Sequence, residues 1–186
     1  MPIRERLTSG MSHIPEDRHK HGLVLDYSLE DNIVLQRYFE PQFTNKLGFL
    51  KRKEIRRYAN RLIEQYDIRS GQGAITKARS MSGGNQQKVV FAKALLTEPS
   101  IWLCDEPTQA VDVATRQEIH RLLREEAKKG KAVLYVSSDL TELLEVADEV
   151  AVMAYGRVRK TFENKDLKPT DVLACCYEAE REENDR

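Results

Sequence analysis

The stretch Ile101-Trp102-Leu103-Cys104-Asp105-Glu106-Pro107-Thr108 determines the fold class of this chain. The apolar run at 101–104 predicts a short buried strand, and two carboxylates follow it directly. A carboxylate at the carboxyl end of a buried parallel strand lies where α/β sheets bind their ligands. A strand followed by an acidic turn that caps the next helix would give the same residues, so the stretch alone is only moderately specific.

Downstream of this stretch, strand patterns and helix patterns alternate. They predict a helix at 113–129, a strand at 132–136, a short helix at 140–146, a strand at 150–154, a turn at 155–156, a strand at 157–162 and a final helix near 169–179. Strand, helix, strand, helix, strand implies parallel pairing with helical crossovers. The fold class that follows is α/β.

Upstream, the chain is mainly helical from residue 28 to residue 97, after a polar and irregular segment at 1–20. Ser28-Leu29-Glu30-Asp31 predicts a capped helix start, and Pro41 and Gly48 bound a loop. From Lys51, apolar residues at helical spacing form one stripe on a basic helix. That basic face is either solvated or a surface for an acidic partner.

A second motif, Ser82-Gly83-Gly84-Asn85-Gln86, directly precedes an amphipathic helix that runs to about Thr97. Glycines at a helix start leave backbone N–H groups free to face an anion, and the helix dipole adds partial positive charge there. The Ser82 hydroxyl adds a donor. On Ser-Gly-Gly alone, an ordinary helix cap with a glycine-rich turn is the more common explanation.

Composition excludes several other classes of protein. The chain of 186 residues has 30 basic and 30 acidic residues, and this neutral balance argues against a nucleic-acid partner. The 3 cysteines make a poor disulfide framework, and no zinc-ligand spacing occurs, so we expect no permanently bound metal. The amino terminus lacks an apolar signal region, so we expect an intracellular chain.

Together and at this spacing, the two motifs resemble the ABC ATPase family, whose members have the P-loop NTPase fold. Other segments fit the family in order: His13–Arg18 at the Q-loop, Gln109–Asp112 at the D-loop and Val136–Asp139 at the switch loop. The resemblance covers nearly the whole chain. It implies a partial P-loop NTPase domain, with a helical subdomain beside a parallel β-sheet core and its helices.

A finer resemblance points to one branch of that family. Pro15–Arg18, Gly22–Asp26 and Ser82–Lys88 look like the second ATPase domain of bacterial simple-sugar importers, in which two ATPase domains are fused in tandem. The run Arg18–Gly22 looks more like the nucleoside-import branch. This resemblance implies ATP and Mg²⁺ as ligands, a second ATP-binding domain paired head to tail, and membrane permease subunits as partners.

The resemblance also implies roles for individual residues. The signature residues, which would face ATP held by the partner domain, are Ser82, Gly83, Gly84, Asn85 and Gln86. In the chain's own site, Asp105 would order Mg²⁺ and Glu106 would be the base for water. Asp112 would bridge the two sites.

This sequence also departs from the family at three places. Glu16 stands where the family has the Q-loop glutamine, and Ser138 replaces the switch histidine. The Walker A pattern G-x-x-x-x-G-K-[ST] occurs nowhere in the 186 residues; the nearest stretch, Gly71–Ala74, has no following lysine. We therefore expect a truncated domain at 1–186, inactive when isolated, with a helical part at about 20–98, an α/β part at about 99–163 and a carboxyl-terminal helix and tail at about 164–186.

These expectations leave three hypotheses. The first is half of a transport ATPase for sugars or nucleosides, cytoplasmic and peripheral on the inner face of the membrane. The second is a non-catalytic module that binds a Walker-A-bearing domain, or an inert truncated product. The third, a soluble ABC ATPase of DNA repair or translation, is disfavoured because no long insertion is visible. An incomplete sheet also predicts possible self-association.

Overall fold

The computed structural model describes Glu5 and residues 9–184. The chain divides into two compact units, with the boundary between Val136 and Ser137. The last residues of the predicted tail, 185–186, lie outside the described residues. Among the helices that the structure describes, none is long and apolar enough to cross a membrane.

The first unit contains a parallel sheet in the order β1-β2-β3. Strand β1 is Met11–Ile14, β2 is Ile101–Asp105 and β3 is Ala132–Val136. In the register, Ile14 lies beside Cys104, and Asp105 lies beside Val136. The predicted strands at 101–104 and 132–136 and their parallel pairing are confirmed, but their predicted burial was wrong in part. In β2 only Trp102 and Cys104 are buried, and every residue of β3 is exposed or half-buried.

Strand β1 lies in the segment that we expected to be irregular, so that expectation was wrong. The strand has 4 residues with alternating burial, and two of them are the polar Ser12 and His13. Too short and too polar to give an apolar run, it is a strand because of its pairing with β2, about 90 residues further along the chain. Such a non-local contact leaves no local sequence signal.

Between residues 9 and 136, the first unit also contains a one-turn π-helix at Arg18–Gly22 and several α-helices. The α-helices are α1 at Leu29–Val34, α2 at Arg52–Gln65, α3 at Gly83–Leu95 and α4 at Val113–Lys128. Their bounds agree with the predicted helices to within a few residues. The apolar stripe of α2 is buried as predicted, at Ile55, Ala59 and Leu62.

Helix α3 is the centre of the first unit. Its Phe91 ring stacks on Trp102 of β2 with centroids 6.1 Å apart, and both rings are almost fully buried. The sequence predicted one apolar face, but every residue from Gln86 to Ala94 is buried. Polar residues tolerate this burial because they are paired: Lys88 Nζ lies 2.6 Å from a Glu118 oxygen, and Lys93 Nζ donates to the Gly22 carbonyl at 2.5 Å.

The second unit contains α5 at Leu140–Val146, β4 at Glu149–Ala154, β5 at Arg157–Glu163 and α6 at Pro169–Asn184. Strands β4 and β5 form a two-stranded antiparallel sheet. The expectation that the strand at 150–154 joins the parallel sheet was therefore wrong. Tyr155 and Gly156 both have positive φ, 52° and 73°, which is the backbone of a tight hairpin turn.

Lys93 makes the stability of the chain depend on pH. Burial lowers the pKa of Lys93 from 10.5 to about 8. Between about pH 8 and pH 10.5, Lys93 is protonated in the unfolded chain and largely neutral in the folded chain. The free energy of unfolding therefore rises with pH in this window. From about pH 7.5 to about pH 9.5 we expect the titration of Lys93 to raise the free energy of unfolding by roughly 1–2 kcal/mol, since one pKa unit is worth about 1.4 kcal/mol.

The change in the free energy of unfolding between these pH values can be measured by urea unfolding at about pH 7.5 and about pH 9.5. The proteins compared are wild type, Lys93→Met and Lys128→Met. Lys128 is exposed in the last turn of α4 and serves as the control. The rise should disappear in Lys93→Met and persist in Lys128→Met. An equal rise in all three proteins would assign the pH dependence to other groups.

Candidate functional site

The carboxyl ends of β1 and β2 bring together two segments that the sequence analysis singled out. Glu16 follows β1, while Asp105 ends β2 and Glu106 follows it. The Gln109 side-chain amide donates to Glu16 Oε1 at 3.3 Å. The segments predicted as the Q-loop and the D-loop therefore lie in contact, about 93 residues apart in the chain.

Glu106 has an unusual backbone conformation. Its φ is +43°, in the left-handed region, and Ala110 in the same loop has a φ of +53°. For a residue other than glycine, the left-handed region costs about 1–2 kcal/mol of conformational free energy, so the residue keeps this conformation only where surrounding contacts fix it. The Glu106 N–H donates to the Val136 carbonyl at 2.9 Å, which ties the start of the loop to β3.

Ser82 is the cap of α3. Its Oγ accepts from the Asn85 N–H at 3.4 Å and from the Asn85 side-chain amide at 2.9 Å. Both bonds use the oxygen as acceptor, so the exposed Ser82 hydroxyl can still donate its proton. Gly83 and Gly84 lie in the first turn, where a helix offers no internal acceptor for their N–H groups. The start of α3 therefore has donors suited to an anion.

The two glycines are also required by packing within the first unit. A Cβ at Gly84 would lie 2.7 Å from Thr115 Oγ1, and one at Gly83 would lie 2.8 Å from Arg18 Nη2 and 3.3 Å from the Ala110 carbonyl. The start of α3 thus lies directly against the start of α4 and against the loop at 110. A larger residue at either position would separate these segments.

The side chains of Asn85 and Gln86 bind within the first unit. Asn85 Oδ1 accepts from the Arg69 N–H at 2.8 Å. Gln86 is 5% exposed; its amide nitrogen donates to the Ala78 carbonyl at 3.0 Å, and its Oε1 lies 2.8 Å from His19 Nε2. The predicted role of Gln86 in nucleotide binding stays a prediction, and in this structure its side chain anchors His19 and the backbone before α3.

Asp112 is the cap of α4. Its carboxylate accepts from the Thr115 N–H and from the Thr115 hydroxyl, each at 2.9 Å. The backbone hydrogen bond from Thr115, followed by the hydroxyl bond, lowers the pKa of Asp112. Asp17 caps the π-helix in the same way, and the backbone hydrogen bond from Lys20 is the main cause that lowers its pKa. The predicted bridging role of Asp112 stays a prediction.

The sequence places Arg18, His19 and Gln87 in segments that resemble the family, but neither these residues nor Thr115 were among the predicted site residues. Arg18 Nη1 donates to the Gln109 carbonyl at 2.9 Å, so it joins the segment after β1 to the D-loop. An open cleft of about 330 Å³ lies here, lined by residues 16–19, Gln109 and Ala110. These contacts join residues far apart in the chain, so no local pattern marks them.

Comparison with known proteins identifies the family. The sequence pattern described as ABC transporter matches residues 3–109, which is more than half of the chain. The chain belongs to the ABC transporter family. Its α/β fold and the order of its motifs agree with this membership.

Two relatives represent the proteins that this ABC chain is similar to. A guanosine import ATP-binding protein of Bacillus subtilis, NupO, is 40% identical over 155 residues, which are 83% of this chain and 30% of that protein. A ribose import ATP-binding protein of Rubrobacter xylanophilus, RbsA 2, is 40% identical over 171 residues, 92% of this chain and 32% of that protein. The chain thus spans about a third of the length of these curated relatives.

A solved ABC cassette shows the same fold. The dimeric structure of the ATP-binding cassette MJ0796, in a post-hydrolysis state bound to ADP and Pi, superposes with a TM-score of 0.69. The match has 24% sequence identity and covers 87% of this chain and 66% of that chain. At this identity the likeness supports the ABC fold alone.

The carboxylates of this ABC chain fit Mg²⁺ only as part of a larger site. Within the described residues, no group of three His, Cys, Asp or Glu side chains could hold a metal. Mg²⁺ commonly uses one or two carboxylates and takes its other ligands from water and phosphates. Asp105 at the end of β2 suits that pattern, since the remaining ligands would come with a nucleotide.

Ser138, which the sequence analysis predicts to stand at the switch position, belongs to the second unit. It is exposed and lies between the end of β3 and the cap of α5. That cap is Asp139, whose carboxylate accepts from the N–H groups of Thr141 and Glu142 at 3.0 and 3.1 Å. The predicted catalytic role of Ser138 stays a prediction.

The packing of Gly84 can be measured by unfolding. We expect Gly84→Ala to lower the free energy of unfolding by about 1–3 kcal/mol, because its Cβ would meet the Thr115 hydroxyl in a fixed helix start. Gly71→Ala is the control, since a Cβ there meets nothing within 4 Å and the change should be under about 1 kcal/mol. Urea unfolding measures both.

A double variant tests the stated cause. Adding Thr115→Ala removes the atom that the new methyl group would strike, so the double variant should lose less stability than the two single variants added together. Strict additivity of the two single changes would show that the 2.7 Å contact is not what requires glycine at position 84.

Proposed function

We propose that this chain is part of the ATP-binding subunit of an ABC importer for simple sugars or nucleosides. Two findings support the proposal: its relatives are import ATP-binding proteins for guanosine and ribose, and the motifs from the Q-loop to the switch loop occur in the family's order. In this proposal the chain supplies the signature residues at 82–86, the carboxylates of Asp105 and Glu106 (the family's Walker B position) and the D-loop at 109–112.

The observation that carries the proposal is the donor set at the start of α3, where Ser82 is exposed, Gly83 is half-buried and Gly84 is buried. The Ser82 hydroxyl and the first-turn N–H groups of Gly83 and Gly84 lie together, and the helix dipole adds positive potential. We infer that this site binds the γ-phosphate of ATP held by a second ATP-binding domain. Asn85 holds the Ser82 oxygen in place, and Gln86 fixes the backbone before the helix.

The end of β2 supplies the other half of the chemistry. Asp105 would hold Mg²⁺, which neutralises phosphate charge when bound, and Glu106 would accept a proton from the attacking water. Glu16 and Asp112 would border this site from the Q-loop and the D-loop, and Ser138 would stand at the switch position. Asp112 is well suited to an interface, because its pKa is lowered and its carboxylate stays ionised while capping α4.

The proposed setting follows from these roles. The partners are a second ATP-binding domain, paired head to tail, and membrane permease subunits, so the location is cytoplasmic and peripheral on the inner face of the membrane. A formal net charge of zero gives no support to a nucleic-acid partner. Self-association is a further proposal, since apolar residues such as Ile101 and Leu134 are 42% and 59% exposed on the sheet.

A second candidate function is a non-catalytic module that only completes another domain's site. The observation that favours it is the absence of the Walker A pattern from the sequence. In this alternative the start of α3 still contacts a partner's ATP, but Asp105 and Glu106 have no nucleotide of their own.

The proposed signature contact can be tested by charge. Ser82→Asp and Ser82→Asn both keep a side chain that caps helices well, and they differ only in charge. In titrations with a Walker-A-bearing ABC domain and Mg-ATP, we expect Ser82→Asp to weaken association at least about tenfold relative to Ser82→Asn, because a carboxylate repels phosphate. Equal association of both variants would contradict a phosphate contact at α3.

Calorimetry with Mg-ATP and the chain alone completes this experiment. We expect no binding in the micromolar range, because no segment of the sequence offers a Walker A cradle. Micromolar affinity would mean that the chain binds ATP by itself, contrary to the proposal.

The catalytic role is separated from the binding role by Glu106→Gln. In the ATPase assembled with its partner domain and membrane subunits, loss of a general base should lower kcat by about 10²-fold or more. An unchanged rate would favour the non-catalytic module over the catalytic half-site.

A further inference from the structure

Gln87 connects α3, the helix that begins at the signature residues and is called the signature helix below, to the loop that contains Glu106. It lies in the second turn of α3, is 2% exposed, and donates from its side-chain amide to the Pro107 carbonyl at 2.7 Å. We propose that Gln87 is a positioning residue for Glu106, which it holds in place through the backbone of Pro107. This inference rests on the proposed function only for its catalytic consequence; the geometric part concerns the chain alone.

Glu106 is held at both ends by backbone contacts. On one side its N–H donates to the Val136 carbonyl of β3, and on the other side Gln87 binds the carbonyl of the next residue, Pro107. The Glu106 carbonyl in turn accepts from the Gln109 N–H at 3.1 Å. A left-handed φ of +43° at a glutamate persists only where surrounding contacts fix it, and Gln87 supplies the contact from the helix side.

The orientation of the Gln87 amide is determined by its partner. A carbonyl can only accept, so the nitrogen of the amide must face Pro107. That orientation leaves Gln87 Oε1 buried without a hydrogen-bond partner, which costs free energy. An apolar side chain at this position would be buried without leaving an unpaired polar atom. The presence of glutamine therefore indicates that its hydrogen bond to Pro107 is the reason for a polar side chain here.

The neighbouring glutamine makes a different connection. Gln86 is also buried, but its amide binds the Ala78 carbonyl and His19, not the loop after β2. Two adjacent side chains of α3 therefore anchor two different segments. Through Gln87, a shift of the signature helix moves the backbone of the residue proposed as the base.

Gln86 gives a matched control for an experiment on the chain alone. We compare wild type, Gln87→Met and Gln86→Met by residue-resolved amide hydrogen exchange. Methionine keeps the length and burial of glutamine and lacks the donor. Gln87→Met should speed exchange at Glu106 and Gln109 by about tenfold, while Cys104 in β2 keeps its protection. Gln87→Asn, which is too short to reach Pro107, serves as a second variant if Gln87→Met does not fold.

Two results would overturn the inference. One is equal exchange at Glu106 and Gln109 in the Gln87→Met and Gln86→Met proteins. The other is a uniform increase across all amides in Gln87→Met, which would indicate a loss of overall stability only. Both results are independent of whether the chain takes part in ATP hydrolysis.

The catalytic consequence is read in the assembled ATPase. Gln87→Met should lower kcat by about tenfold or more with little change in the KM for ATP, because it displaces a proposed base without removing a phosphate contact. If Glu106→Gln abolishes hydrolysis and Gln87→Met leaves kcat unchanged, the positioning role is wrong and the proposed function stands. If Glu106→Gln has no effect, the catalytic half of the proposed function fails, and the exchange result still decides the geometric part.

Discussion

Burial of α3 on almost every side is the constraint on which the first unit depends. A helix surrounded in this way must satisfy each polar side chain internally, because an unpaired buried group costs free energy. The chain meets most of this demand by directing successive side chains to different segments: Gln86 to Ala78 and His19, Gln87 to Pro107, and Lys88 to Glu118. Gln87 Oε1, which has no hydrogen-bond partner, is an exception. The helix therefore fixes the positions of loops that belong to separate parts of the sequence.

The glycines at the start of α3 have a physical role apart from any nucleotide. Gly84 lies where a Cβ would strike Thr115, whose hydroxyl is already bound to Asp112. The start of the signature helix and the cap of α4 can therefore approach each other only if position 84 has no side chain. A Ser-Gly-Gly sequence at this place is required by the fold and is also suited to binding an anion.

Much of the fold could be predicted from the sequence, because local patterns determine its helices and its central strands. The stripe at Ile55, Ala59 and Leu62 has helical spacing, and the apolar run before Asp105 is typical of a strand. Strand β1 could not be predicted, since it is polar and depends on pairing with β2. The pairing of β4 was mispredicted because an apolar run fits a parallel or an antiparallel neighbour equally well. The turn at 155–156 and the strand after it were predicted, and in the structure they form the hairpin that pairs β4 with β5.

In the candidate site, too, residues marked by a local pattern could be predicted, and residues positioned by contacts far along the chain could not. Motif spacing pointed to Ser82 and to the carboxylates at 105 and 106, because these residues lie at the ends of elements that a local pattern predicts. Arg18, His19 and Gln87 gave no such signal, since a polar residue in a loop or helix is usually solvated, and their partners lie far away in the chain. Resemblance could not supply the orientation of Gln86 either, since only the packed structure shows that its amide is buried.

The two parts of the proposed site, the start of α3 and the carboxylates at the end of β2, differ in how completely this chain alone preorganises them. The start of α3 is preorganised, because Ser82 is held by Asn85 and the glycines are packed against Arg18 and Thr115. A site that is already ordered loses little conformational entropy when it binds, so it suits recognition of a phosphate presented by another domain. The carboxylates at the end of β2 need phosphate oxygens to complete a Mg²⁺ site, and these must come with a nucleotide. Under the proposed function, the start of α3 is therefore the more preorganised of the two parts.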